Sequence, residues 1–145
     1  MPVRTKRWND PPEPDDGYRL LICRYRPRGV KKSDEARLWD AWCPALAPSV
    51  ELHSDAYGKN EQNERIAFDE YEARFRSEMT RQRFWLEGFA SRVRDGESIT
   101  LLCSSACTDP SRCHRTLVKQ MIDAIAFPEA RPSAAARGVV RRRSS

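Results

Sequence analysis

At 145 residues, 39% of them apolar and 32% charged, the chain holds material for one hydrophobic core and some residues that do not belong to it. Nothing approaches the roughly 18 continuous apolar residues of a membrane span, and the polar, proline-rich start MPVRTKRWNDPPEPDDG does not read as a secretory signal, so a cytoplasmic protein with no membrane partner is expected. The net charge of +5 and the pI near 9.1 favour anionic partners, although four arginines fall within residues 137 to 143 alone.

Residues 1–16 contain four prolines and the acids Glu13, Asp15 and Asp16, and read as an irregular arm. Tyr18–Arg24, YRLLICR, follows Gly17 with an apolar centre that suits a strand buried on both faces. Pro27, which lacks an N–H, and Gly29 stop it in a cation-rich loop. Ser33 then caps an expected helix that carries Leu38, Trp39 and Trp42 to the core and ends at Pro44. Ser49 caps a second helix over Val50, Glu51 and Leu52. Phe68, Tyr71, Phe75 and Met79 step by three and four, as do Leu86, Phe89, Ala90 and Val93, which predicts two amphipathic helices whose stripes are packing surfaces. Ser98–Cys103 is the second strand. After the turn at Asp109-Pro110, a helix shows Leu117, Val118, Met121, Ile122 and Ile125 on one face and stops at Phe127-Pro128. Residues 128–145 read as a basic, flexible tail, and His53 as a surface residue.

Two strands far apart in sequence with helices between them favour parallel pairing, so the fold class is α/β: a single compact domain with a small, mainly parallel sheet flanked by helices. The carboxyl ends of the strands then share one edge. There the first strand delivers Arg24, Arg26 and Arg28, and the second delivers Cys103, Ser104, Ser105 and Cys107, followed by Cys113, His114 and Arg115 at a helix start. Guanidinium forks, small loop residues and free helix N–H groups suit a phosphate or carboxylate, so the expected partner is an anionic small molecule, phosphate-bearing or nucleotide-like. Arg24, Arg26, Arg28, Ser104, Ser105 and Arg115 are its expected ligands, and His114 and Cys113 the reactive candidates.

Several of these segments resemble the YeaO-like family of uncharacterised proteins (domain of unknown function 488). They are Gly17-Tyr18-Arg19, Arg24 through Lys32, Trp39, Ala47 through Leu52, Phe68–Met79, and Thr100 through Ser104 followed by His114, covering roughly residues 17 to 127. The resemblance implies a compact α/β domain with no established activity, and it singles out Arg24, Arg28 and His114. Cys23 and Arg26 stand where that family typically has Asp and Trp. Cys-His-Arg at 113–115 is similar to a cysteine-bearing branch of it.

Sharper chemistries separate on spacing. The odd count of five cysteines favours reduced thiols over a disulfide scaffold. Cys103, Cys107, Cys113 and His114 suffice in number for tetrahedral zinc or for iron, but they contain no Cys-x-x-Cys pair, and adjacency of Cys113 and His114 makes joint ligation awkward; no cofactor is predicted. A phosphatase-type loop needs Arg six residues after its Cys. Position 109 is Asp and position 113 is Cys, so that signature is absent. A Cys113 or Cys107 thiolate favoured by the helix start remains open, as does a packing role for both. The alternative function is a nonenzymatic protein or nucleic-acid interaction module using Arg137, Arg141, Arg142 and Arg143.

Overall fold

The computed structural model describes residues 3–130, so the arginine-rich end lies outside the described residues. Among these, β1 (Arg4–Arg7), β2 (Tyr18–Leu21), β3 (Ala41–Trp42) and β4 (Ile99–Cys103) form one sheet in the order β1-β4-β2-β3, and every pairing is parallel. β2 and β4 run side by side in the register Tyr18↔Ile99 to Leu21↔Leu102, so their carboxyl ends meet at one edge as expected. The α/β class follows. β4 is central and buried along its whole length, which is why ITLLC shows an unbroken apolar run and no alternation.

Successive side chains of β2 and β4 point to opposite faces and enter two separate cores. Leu20, Ile22, Ile99 and Leu101 face the helices α3 (Phe68–Met79), α4 (Arg83–Arg94) and α5 (His114–Ala126), whose stripes of Tyr71, Phe75, Leu86, Phe89, Val93, Leu117, Val118 and Ile122 complete the main core. Each such fully buried side chain stabilises by roughly 1.5–3 kcal/mol, which is enough to fix these helices on the sheet. Leu21, Cys23 and Leu102 face the other way, against Trp39 with Trp8, Val30 and Leu38 at the margin. No helix described is long and apolar enough to cross a membrane.

The entry to β2 requires glycine. Gly17 adopts φ +67°, and a Cβ there would sit 2.3 Å from the Ser98 carbonyl oxygen, which also accepts the Tyr18 N–H at 2.8 Å. Ser49 caps α2 (Val50–Ala56) as its sequence suggests, accepting from Leu52 N at 3.1 Å, and its hydroxyl and N–H both bond Glu78 of α3.

Three expectations are corrected. Residues 1–16 are not an irregular arm throughout. Arg4–Arg7 forms the edge strand β1 on β4, and the acids that follow it are ion-pair partners of its cations: Lys6 lies 2.8 Å from Asp16 and 2.7 Å from Glu13, and Arg4 lies 3.0 Å from Asp15. The helix opened at Ser33 is only the short α1 (Glu35–Leu38). Trp39 turns extended at φ −150°, ψ 155°, and Ala41–Trp42 becomes β3 because β2 offers an unpaired edge; Trp42 is then 41% exposed and donates from Nε1 to the Cys23 carbonyl. At the other end, Pro128–Ala130 makes a 3-10 turn with Glu129 3.3 Å from Arg94, and the rest of the expected tail lies outside the described residues.

Candidate functional site

Alternation along β4 points Cys103 to the helix side, with Ile99 and Leu101, at the last position of the strand. The following loop turns back at once. Cys107 N donates to the Ser104 carbonyl at 3.0 Å and Ala106 N to the Ser104 hydroxyl at 3.2 Å, which lays Cys107 over Cys103. Asp109 accepts from the N–H and hydroxyl of Ser111 and caps a 3-10 turn over Pro110–Arg112. Cys113 is extended (φ −126°, ψ 142°) at the N-cap of α5 and His114 is the first helical residue, so two consecutive side chains converge where a continuous helix would splay them.

Three buried groups meet as a result, with Cys107 against one of them. Cys103 Sγ lies 3.3 Å from Cys107 Sγ and 3.4 Å from Cys113 Sγ, and His114 Nδ1 lies 3.8 Å from Cys103 Sγ and 3.9 Å from Cys113 Sγ. Cys103, Cys113 and His114 are buried; Cys107 is half-buried. His114 Nε2 is 2.8 Å from the Ile22 carbonyl oxygen, which can only accept. That bond assigns the proton to Nε2 and leaves Nδ1 facing the sulfurs. Phe75 holds the other side of the imidazole, edge-on at 5.6 Å. The adjacency of Cys113 and His114, awkward on paper, is therefore resolved by the bend between loop and helix.

The thiols differ. The hydrogen bond offered by Cys103, reinforced by His114 and by Tyr57 3.9 Å away, holds the Cys107 thiol well below the usual range. Donating to Cys107 pushes Cys103 up, and donating to Cys103 pushes Cys113 up, with burial adding to both. Burial opposes charge on His114, but the Cys113 thiol and the Ile22 carbonyl outweigh it and raise the imidazole. Cys23, also at the edge, is pushed up to about 12 by burial and donates to the Tyr25 carbonyl at 3.0 Å. Of the five thiols, Cys107 is the one that ionises most readily.

A cavity of about 300 Å³ opens above the cluster, within the size range of small-molecule sites. Its far wall comes from α2, the connection to α3 and the first turn of α3: His53, Tyr57, Arg65, Ile66, Phe68 and Tyr71. His53 is not a lone surface residue. It stands between the rings of Tyr25 at 5.2 Å and Tyr57 at 4.6 Å, and burial together with nearby His114 and Lys59 lowers its pKa. Arg65 lies over Tyr57 at 5.7 Å and Arg112 over Phe68 at 5.5 Å, which leaves both guanidinium groups at the rim with no ion pair among the described residues.

The residues predicted for this site divide. Arg24, Ser104, Cys103, Cys107, Cys113 and His114 line the cavity. Arg24 also donates to the carbonyls of Pro48 at 2.8 Å and Pro44 at 3.0 Å, so it fixes the wall before it meets any ligand. Arg26, Arg28, Ser105 and Arg115 do not line it. Arg26 pairs with Glu35 at 2.8 Å beside Trp39, on the opposite face of the sheet. Arg28 is exposed in its loop, Ser105 offers its carbonyl to Arg7, and Arg115 is buried with a bond to the Cys107 carbonyl at 3.2 Å, which positions the loop. Sequence reasoning missed Tyr57, Arg65, Phe68 and Arg112. Arg112 carried a signal, since it stands just before the N-cap Cys113, whereas the return of residues 57–67 over the strand ends leaves none in a polar run.

The family described as "Active DUF488-N3 subclade" (DUF488-N3a) matches residues 3–126, which spans the whole sheet and every residue of the cleft. The chain belongs to this DUF488 family. Among curated proteins, it is similar to "Uncharacterized protein YeaO" of Escherichia coli strain K12, 44% identical over 59 residues, which is 41% of this chain and 50% of that one. It is also similar to "Uncharacterized protein Mb3100c" of Mycobacterium bovis and "Uncharacterized protein Rv3073c" of Mycobacterium tuberculosis, each 38% identical over 77 residues, 53% of this chain and 59% of theirs. The chain thus spans between half and three fifths of the length of these relatives. No solved structure matches it.

Proposed function

We propose that this DUF488 protein binds a small anionic ligand, phosphate-bearing or nucleotide-like, in the cleft above the Cys/His cluster. One observation carries the reading: the lining sets Arg24, Arg65 and Arg112 against a single carboxylate, Asp109, which Ser111 already occupies. An anion entering this cavity meets guanidinium donors at the rim and aromatic walls at Tyr57 and Phe68, on which a flat ring can stack. The cluster forms the floor, so Cys113 and His114, the reactive candidates, lie where the ligand's inner end rests, with Cys107 beside them.

Calorimetric titration of the full chain with adenosine monophosphate and with adenosine tests this. The phosphate ester binds and the nucleoside binds at least several-fold more weakly. Arg112→Ala weakens the former by about 0.5–1 kcal/mol, roughly 2- to 5-fold, since the group is exposed and screened. Equal affinity for the two compounds, or binding of neither, contradicts the reading.

A further inference from the structure

We propose that Cys103, Cys113 and His114 hold a thiophilic divalent cation, zinc first and ferrous iron by the same donor set, with Cys107 as the fourth and most exchangeable ligand on the cleft side. This goes beyond the anion reading and does not depend on it.

Three features support the site. The first is spacing. Zinc held at about 2.3 Å from sulfur and about 2.0–2.1 Å from nitrogen in a tetrahedron sets ligands roughly 3.5–3.8 Å apart. Here the Cys103 and Cys113 sulfurs are 3.4 Å apart and their separations from His114 Nδ1 are 3.8 and 3.9 Å, each within about 0.5 Å of that geometry, and these three ligand atoms lie within 4.8 Å of one another; Cys107 Sγ stands outside this triplet, 3.3 Å from Cys103 Sγ, and reaches the cation by a shift of its loop. The second is orientation. The Ile22 carbonyl takes the Nε2 proton of His114 and turns the Nδ1 lone pair to the sulfurs, the arrangement by which a backbone carbonyl fixes the tautomer of a metal-bound imidazole. The third is that a Cys103–Cys113 disulfide would leave the His114 Nδ1 lone pair over, whereas one cation engages all three buried donors.

The ligands come from a strand end, a loop and a helix start. Cys103, Cys113 and His114 are buried on these packed elements, while Cys107 is half-buried on the loop, which makes it the ligand a cleft occupant would displace.

The test is cobalt titration of the reduced, chelator-treated full chain. One equivalent binds, with the near-ultraviolet thiolate-to-cobalt charge transfer and the intense visible bands of tetrahedral coordination, and zinc displaces it. Cys103→Ser and His114→Gln each lower affinity roughly tenfold or more. Cys107→Ser keeps the one-equivalent end point with weaker charge transfer. Arg112→Ala leaves the titration unchanged, which separates this site from the anion reading. The wild-type spectrum decides the matter even where a cysteine variant does not fold: absence of charge-transfer bands at one equivalent overturns the proposal, as does a spectrum that survives replacement of both Cys103 and Cys113. Mass spectrometry of the protein as isolated distinguishes zinc from iron.

Discussion

Two buried polar clusters sit on this sheet, and they are finished to different degrees. In the β1–β2 connection Asp16, 2% exposed, meets Lys6 at 2.8 Å and accepts the Glu13 N–H at 2.9 Å, while Lys6 also meets Glu13 and the Pro11 carbonyl. The charges there are paired within the chain. At the carboxyl ends of β2 and β4 the Cys103 and Cys113 sulfurs and the His114 Nδ1 have only sulfur and one another as partners, Cys107 adds the Tyr57 hydroxyl, and the group faces a cavity. A closed cluster holds an edge strand in place. An open one, assembled at the edge where parallel sheets receive ligands, leaves donor capacity for something else.

The comparison can be broken or sharpened by substitution. The largest effect belongs to the core beneath the open cluster: Phe75 is fully buried, stacks on Tyr71 and holds His114 edge-on, so Phe75→Ala costs about 3–5 kcal/mol in denaturant unfolding. Next comes the closed cluster. Asp16→Asn removes the charge that Lys6 is buried against, and because Glu13 remains as a second partner the loss is about 2–3 kcal/mol, below that for an isolated buried pair.

The same pair has a pH signature. Burial tends to raise the Asp16 carboxyl, but the Lys6 ammonium and the Glu13 N–H outweigh it and hold the group below its ordinary 3.8. A carboxyl lowered by folding contributes stability that is complete above its unfolded pKa and is lost as pH falls through the folded one. Wild-type stability therefore drops on acidification below about pH 4, and the gap between wild type and Asp16→Asn closes over the same range. A gap that stays constant down to pH 2 in acid titration by circular dichroism contradicts this assignment. The smallest effect is at the open cluster's rim, where Arg112→Ala changes stability by about 0.5 kcal/mol or less while weakening adenosine monophosphate, a split between fold and ligand that no residue of the closed cluster gives.

How legible all this was depended on which interaction set each element. The helices α3, α4 and α5 and the strands β2 and β4 were readable because their apolar periodicity matches the face they bury. β1 was not. RTKR has no apolar alternation, and it is a strand because β4 offers an edge and because Val3, Lys6 and the following acids tie it down. Trp42 misled for a related reason, since its aromatic ring suggested core while the local chain was recruited to pair with β2. At the cleft, convergence of the two strand ends followed from parallel pairing alone. Which arginines face the cavity did not, because Arg26 finds Glu35 and Arg115 finds the Cys107 carbonyl only once the loops are closed. The closeness of Cys103, Cys113 and His114 was likewise not legible from their intervals, because the three are divided between a strand end and a helix start that only the closed loop brings together.

The open cluster is the centre of this account, and anomalous diffraction at the zinc edge from a crystal of the full chain equilibrated with zinc tests it most directly. One anomalous peak is expected among the Sγ atoms of Cys103, Cys113 and Cys107 and the Nδ1 of His114, at bonding distance from at least the two buried sulfurs and the imidazole. Density showing free thiols around a vacant centre, or the zinc bound elsewhere, contradicts it.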